Sequence, residues 1–440
     1  MIINELETNI ISNNEKKEPL KTKANYIIKI ICILLYIILI TYSPQSKSEE
    51  IIPMKNMTII EKFIFQLNEQ SIFRIPIYIL FFDYLESDVC SDINAYLVFK
   101  YYLEHNYTNA YYVINDQTEF YKELLIKNET KNIIPYDMKK NDYFILFPYI
   151  LHSKIIVQSY VLLPFQTIIN QVKFLKFLYL THAINYFKEK IIKIELEAIE
   201  DKKRKHIILS SPYEYNLYQK MNLYEDKSLH IAGLPRYDRF EFTKKNDSEN
   251  DCLLISFTYR KYNNSVYQKS LYKKNIEKLL GDKEFISFLK NKNIDLIYSQ
   301  HHYDLFRNRT FKKEDFPNVI YGEQNNLAHY IEQCSLYITD FSTVSFDFMI
   351  QNKPVLFYFI DANDTISFDE KEYMNIDKNN SIYFENVFYE QEPLIENIKY
   401  YINNNYKLKE GLANKYATLF YTKKNITGKI FDIINQMISD

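Results

Sequence analysis

The stretch CSLYITDFSTVSFDFMIQNKPVLFYFID (Cys334–Asp361) reads as a strand, a tight turn, a short helix and a second strand. SLYITD (Ser335–Asp340) and PVLFYF (Pro354–Phe359) are continuous apolar runs rather than alternating ones. Strands of that kind are buried on both faces, as in a parallel sheet covered by helices. Between them, Ser342, Thr343 and Ser345 stand at the start of the helix. Unpaired backbone N–H groups and the positive end of the helix dipole favour an anion there, and the hydroxyls add donors. A plain capping turn in a βαβ unit is the alternative.

The same rhythm runs outward in both directions. CLLISF (Cys252–Phe257), DLIYSQ (Asp295–Gln300) and NVIY (Asn318–Tyr321) read as strands, with the helix NLAHYIEQC (Asn326–Cys334) before the quoted stretch. Upstream of the polar run TKKNDSEN (Thr243–Asn250), IYILFF (Ile77–Phe82), AYYVI (Ala110–Ile114), KIIVQS (Lys154–Ser159) and LYLTH (Leu178–His182) read as strands. SDINAYLVFKYYLEH (Ser91–His105), opened by a capping Ser, and TEFYKELL read as helices. QTIINQVKFLKFLYL (Gln166–Leu180) reads as a helix packed on the sheet, or as a membrane-facing one carrying Lys173 and Lys176. With 440 residues the chain exceeds one ordinary core. The expected fold is therefore α/β, with two doubly wound Rossmann-like domains at residues 60–235 and 236–440. A cleft is expected at the carboxyl ends of their strands.

Residues 1–24 form a polar tail, and residues 25–43 an apolar segment that includes ICILLYIILITY from Ile30. The segment reads as a membrane anchor; an interfacial helix and a signal-like segment are the alternatives. Lys16, Lys17, Lys21 and Lys23 precede it, a bias that favours the main body outside the cell. The net charge of −2 supplies no global field for nucleic acid. Cys32, Cys90, Cys252 and Cys334 form no CxxC pair, so neither a zinc site nor a disulfide framework is expected, and a reducing compartment fits best. With only 5 glycines the chain has neither GxGxxG nor GxxxxGK[ST]. Bound phosphate would then rest on helix N-termini and side chains.

Within the quoted stretch, TDFSTVSFD (Thr339–Asp347) resembles the TDYSSxxFD element of the teichoic-acid glycerophosphotransferases that use CDP-glycerol. Further elements follow in that family's order. THAINYFK (Thr181–Lys188) resembles WHGTPLK, GLPRYDRF (Gly233–Phe240) resembles GxPRxD, and LLISFTYR (Leu253–Arg260) resembles a strand ending in PTWR. LIYSQHHYD (Leu296–Asp304) resembles a strand ending in His-Pro or His-Tyr, and KNITGKIFDII (Lys424–Ile434) the closing helix. In THAINYFK, Thr181 replaces Trp, Ala183 replaces Gly and Asn185 replaces Thr or Pro; His182 and Lys188 are kept.

The resemblance implies a fold of GT-B type, with an acceptor-side first domain and a donor nucleotide-binding second domain. It implies transfer of glycerol phosphate, or a related polyol phosphate, from a CDP-linked donor to a lipid-linked or polymeric envelope acceptor, releasing CMP. His182 is the expected general base, and either His301 or His302 would act at the departing phosphate. Ser342, Thr343, Ser345 and Asp347 belong to the expected donor pocket, with Arg236 and Arg260 as phosphate cations or, failing that, surface ion pairs. No strand ends in a DxD-type carboxylate pair, so no metal and no cofactor are expected. Cytidine nucleotides place the catalytic body on the cytoplasmic face of the cell membrane, against the lysine bias. A sugar-nucleotide glycosyltransferase and an inactive envelope-scaffold homologue are the competing readings. Acceptor identity, primase against polymerase action, and glycerol against ribitol phosphate stay open.

Overall fold

Thirteen short strands among the described residues find cover on both faces by assembling into two parallel sheets. The computed structural model describes residues 78–83, 93–137, 146, 149–150, 153–159, 175–181, 184, 202–240, 251–260, 262–301, 304, 307, 309, 311–322, 327–362, 386–421 and 424–439. One compact unit, Ile75–Asn141 with His152–Asp440, contains both sheets. A second, Met1–Arg74 with Asp142–Leu151, lies almost wholly outside the described residues, as does the proposed apolar anchor at 25–43.

The first sheet comprises β1 (Tyr78–Phe82), β2 (Ala110–Asn115), β3 (Ile133–Tyr136), β4 (Ser153–Gln158), β5 (Lys176–Tyr179), β6 (Lys205–Leu209) and β7 (Leu229–Ile231). Its order is β3-β2-β1-β4-β5-β6-β7. The second comprises β8 (Asp251–Ile255), β9 (Ile294–Ser299), β10 (Ile320–Gly322), β11 (Leu336–Thr339), β12 (Val355–Tyr358) and β13 (Val387–Phe388). Its order is β10-β9-β8-β11-β12-β13. All pairings are parallel. The winding reverses between β1 and β4 in one sheet, and between β8 and β11 in the other. Such reversals open a crevice at the carboxyl ends of the strands.

The apolar runs behave as parallel-sheet strands should. In β11, Leu336 and Ile338 pack on one face and Tyr337 on the other, all fully buried. Three helices place the site: α1 (Asn94–Glu104), α2 (Val344–Met349) and α3 (Ile426–Ser439). Helix α3 is last in the chain yet packs on α1 and β4 of the first sheet, although a division at residue 236 assigns it to the second. Its Ile426, Ile430 and Ile434 join one apolar cluster with Phe81 and Val157 of the first sheet and Tyr337 and Phe357 of the second. Lys154 and Lys176 donate to the Ile438 (2.5 Å) and Met437 (2.8 Å) carbonyls at its carboxyl end, where a helix leaves acceptors unpaired.

Several expectations change. Lys176–Tyr179 is strand β5, so the segment Gln166–Leu180 is not helical throughout; Lys173 lies outside the described residues. Helix α1 starts at Asn94 without a side-chain cap of its own, and Asp83 takes that task from β1. Cys252 and Cys334 form a disulfide, against the expectation that the cysteines stay unpaired. Eighty-two residues apart, they meet because β8 and β11 are neighbours, a proximity that spacing in the chain does not reveal. Strands β3, β6, β7 and β13 are not among those expected from the sequence.

At the far edge of the first sheet, His206 Nδ1 and His230 Nε2 lie 3.0 Å apart in a hydrogen bond. Burial, then the neighbouring His230, pulls His206 down to about 4. The folded value lies below the unfolded one, so the stabilising contribution is complete above about pH 6.5 and is lost as pH falls toward 4. Between pH 7 and pH 5, urea unfolding should show the wild type losing on the order of 1 kcal/mol more than a variant without His206. His206→Gln should flatten that dependence; an unchanged slope would exclude the pair as its source.

Candidate active site

Each crevice edge is organised by a buried carboxylate that directly follows a strand. Asp83 follows β1 and accepts from the Ala95 and Tyr96 N–H groups (3.0 and 2.9 Å), the Tyr112 hydroxyl (3.0 Å) and the Ser159 hydroxyl (2.5 Å). Burial pushes it up to about 6, with the four donors pulling the other way. This acid anchors the first turn of α1 to the carboxyl ends of β1 and β4.

Asn94, fully buried in that turn, bridges two further segments. Its amide nitrogen donates to the Thr181 carbonyl (3.1 Å), and its oxygen accepts from the Arg236 N–H (3.0 Å). Thr181 has φ +56°, a left-handed conformation that a β-branched residue adopts only when its surroundings enforce it. It immediately precedes His182 in the chain. His182 itself and His302 lie outside the described residues.

In the second sheet, Asp340 follows β11 and accepts from Thr258 N–H (2.9 Å), the Thr258 hydroxyl (2.9 Å) and Phe341 N–H (2.7 Å). Arg260 Nη1 lies 2.8 Å from the same carboxylate. Its Nε and Nη2 donate to Asp361, which follows β12, at 2.8 and 2.9 Å. Tyr272 and Phe341 cover the guanidinium, each ring centre 4.7 Å away. Burial opposes the charge, but Asp361 and Asp340 outweigh it and hold Arg260 well above the ordinary arginine range. The side chain is about 1% exposed, and its ion pairs lock three strand ends together.

Arg236 is likewise engaged by a buried carboxylate. Its guanidinium grips Asp347 of α2 through Nη2 (2.8 and 3.1 Å) and Nε (3.2 Å), with both side chains buried. The pair joins the segment leaving the first sheet to a helix of the second. Two residues on, Asp238 accepts from Ile426 N–H (2.9 Å) and Thr427 N–H (2.7 Å), capping α3 from a distance. Gly233 makes the approach possible. Its φ of +121° suits glycine alone, and a Cβ there would stand 3.0 Å from Ile426.

The remaining expected residues lie around this framework. Ser342 and Thr343 are half-buried in the turn after β11, where the Ser342 hydroxyl accepts from Val344 N–H (3.4 Å). Ser345 is fully buried, and its hydroxyl has no hydrogen-bond partner among the described residues. His301 is half-buried beyond β9, its ring 5.7 Å from that of Tyr259. The structure thus brings Arg236 and Asp347 into contact, and sets Arg260, His301, Ser342 and Thr343 along adjoining strand ends of one sheet. Sequence reasoning passed over Asn94, Asp83, Asp340 and Asp361 as site-building residues. A signal existed for the acids, since IYILFFD, SLYITD and PVLFYFID each close an apolar run with Asp.

A family model described as CDP-Glycerol:Poly(glycerophosphate) glycerophosphotransferase matches residues 76–435. The chain is 26% identical over 371 residues to the Minor teichoic acid biosynthesis protein GgaB of Bacillus subtilis (strain 168), a match covering 79% of this chain and 39% of that protein. It therefore spans about two fifths of the curated relative it matches. Among solved structures, the wall teichoic acid polymerase TagF is similar with a TM-score of 0.58 at 15% identity, covering 88% of this chain and 95% of that one. UDP-N-acetylglucosamine 2-epimerase from Rickettsia bellii gives 0.51 at 12% identity, covering 83% and 98%. At these identities the structural likeness concerns the fold, and both neighbours are consistent with paired parallel-sheet halves.

Removing one member of a buried ion pair strands the other charge. Arg236→Met should therefore destabilise the protein by about 3–5 kcal/mol in urea unfolding. Arg236→Met combined with Asp347→Leu should recover most of that loss. A double variant as unstable as the single one would contradict the pairing.

Proposed function

The chain belongs to the CDP-Glycerol:Poly(glycerophosphate) glycerophosphotransferase family, and from that premise we propose that it transfers glycerol phosphate, or a related polyol phosphate, from a CDP-linked donor to a hydroxyl of an envelope polymer or glycolipid. The observation that carries the reading is the Arg236–Asp347 pair. It ties the GLPRYDRF element to the TDFSTVSFD element, the two segments whose resemblance to the family points to one donor pocket.

In the proposed reaction an acceptor oxygen attacks the β-phosphorus of the donor. The bond from that phosphorus to the bridging oxygen breaks, and CMP leaves with the bridging oxygen. His182 takes the acceptor proton, a step worth about 10²–10⁴-fold for a neutral imidazole. Ser342 and Thr343 donate to phosphate oxygens, and His301 or His302 faces the departing CMP. The resemblance, the strained Thr181 backbone and the Asn94 bridge support assigning the base to the residue after Thr181. The buried acids and arginines hold the strand ends rigid, so donors stay aimed where charge develops.

The 25–43 segment associates the protein with the cell membrane in this reading, with the catalytic body on the cytoplasmic face, where cytidine nucleotides are found. Among the described residues no helix is long and apolar enough to cross a membrane. The transfer uses no resident metal or cofactor.

Purified protein given CDP-glycerol and an envelope-polymer acceptor should release CMP. His182→Ala should lower kcat by about 10²–10⁴-fold with a melting temperature close to wild type. Release of UDP from a UDP-sugar, with no CMP from CDP-glycerol, would replace this reading by the glycosyltransferase one. Dialysis against EDTA should leave the rate unchanged; loss restored by a divalent cation would refute the metal-free mechanism.

A further inference from the structure

The donor assignment leaves a charge unanswered. A diphosphate needs cationic partners, yet Arg236 and Arg260 are enclosed by Asp347 and by Asp340 with Asp361. The geometry points to Arg307, in the segment after β9, as the residue that binds the diphosphate of the nucleoside-diphosphate donor. This inference rests on the reading above and names the cation that reading lacks.

Arginine is scarce in this chain, with 7 among 54 basic residues, yet Arg260, Arg307 and Arg309 gather beyond the carboxyl ends of β8 and β9. Two of the three are committed. Arg260 is locked as described, and Arg309 is buried, donating to the Arg260 carbonyl (3.0 Å), the Asn264 side chain (3.0 Å) and Asp304 (3.4 Å). Arg309 thereby staples the loop after β8 to the loop after β9.

Arg307 differs in exposure and in partners. It is exposed, and its Nη1 donates to the Tyr262 carbonyl at 3.0 Å. Its guanidinium lies over the Tyr259 ring, 5.3 Å from the centre. That same ring neighbours His301, one of the two histidines expected at the departing phosphate, so Tyr259 is a neighbour shared by Arg307 and His301. One backbone acceptor and one aromatic face fix the plane of the guanidinium. Among the described residues no carboxylate pairs with it, and Asp304, the acid that feels its charge, is already engaged by Arg309. A planar fork held this way presents its other N–H groups in the geometry that phosphate oxygens accept.

Calorimetric titration of the purified protein with CDP and with cytidine separates the diphosphate contribution from that of the nucleoside. Arg307→Ala should weaken CDP binding by roughly 10–100-fold and leave cytidine unchanged. Arg307→Lys, which keeps the charge and loses the fork, should recover only part. Unchanged CDP binding in Arg307→Ala would overturn the inference while leaving the transferase reading intact, provided the wild type releases CMP. Parallel loss of CDP and cytidine would also overturn it, since that marks a structural role. A wild type that neither binds CDP nor turns over CDP-glycerol would remove the parent reading and this inference together.

Discussion

A guanidinium shut away from water must be matched by carboxylates, and Arg260 meets that requirement with Asp340 and Asp361. Because those acids follow β11 and β12 while the arginine follows β8, meeting it fixes the ends of three strands relative to one another. Asp340 also collects the Thr258 hydroxyl and two backbone N–H groups, so the turns that follow β8 and β11 are set by the same carboxylate. Asp83 plays the corresponding part in the first sheet with four donors and no cation.

Between the sheets the same chemistry operates on a smaller scale. Arg236 and Asp347 form one buried pair, Asp238 caps α3, and Asn94 links the Arg236 backbone to the strained Thr181. These contacts sit within six residues of the Gly233 turn, so a short stretch of chain carries much of the registration between the halves. A rigid scaffold of this kind suits a site whose work is positioning and charge stabilisation rather than motion of its own framework.

The sheet architecture was legible because short continuous apolar runs such as LYIT and VLFY read as strands covered on both faces, and their spacing leaves room for the crossing helices. The arginines were less legible. Arg260 stands beside a family-like motif, but its partner Asp361 lies 101 residues on, and no local pattern shows that a cation will be consumed there. The Cys252–Cys334 link was hidden for the same reason: strand neighbours in a 3-2-1-4 order are distant in the chain. Helix α3 has an amphipathic pattern that reveals its type but not which sheet it returns to; two lysines and a remote aspartate decide that.

That return has a bearing on how the molecule can be taken apart. Helix α3 covers the flank of a sheet whose strands precede it by some two hundred residues, so a nascent chain emerging from the ribosome would hold that apolar flank uncovered until residues 424–439 are made. Fragments cut between the halves would inherit the same bare surface. Dissection by expression would keep both pieces soluble only if residues 424–439 were grafted back onto the earlier one.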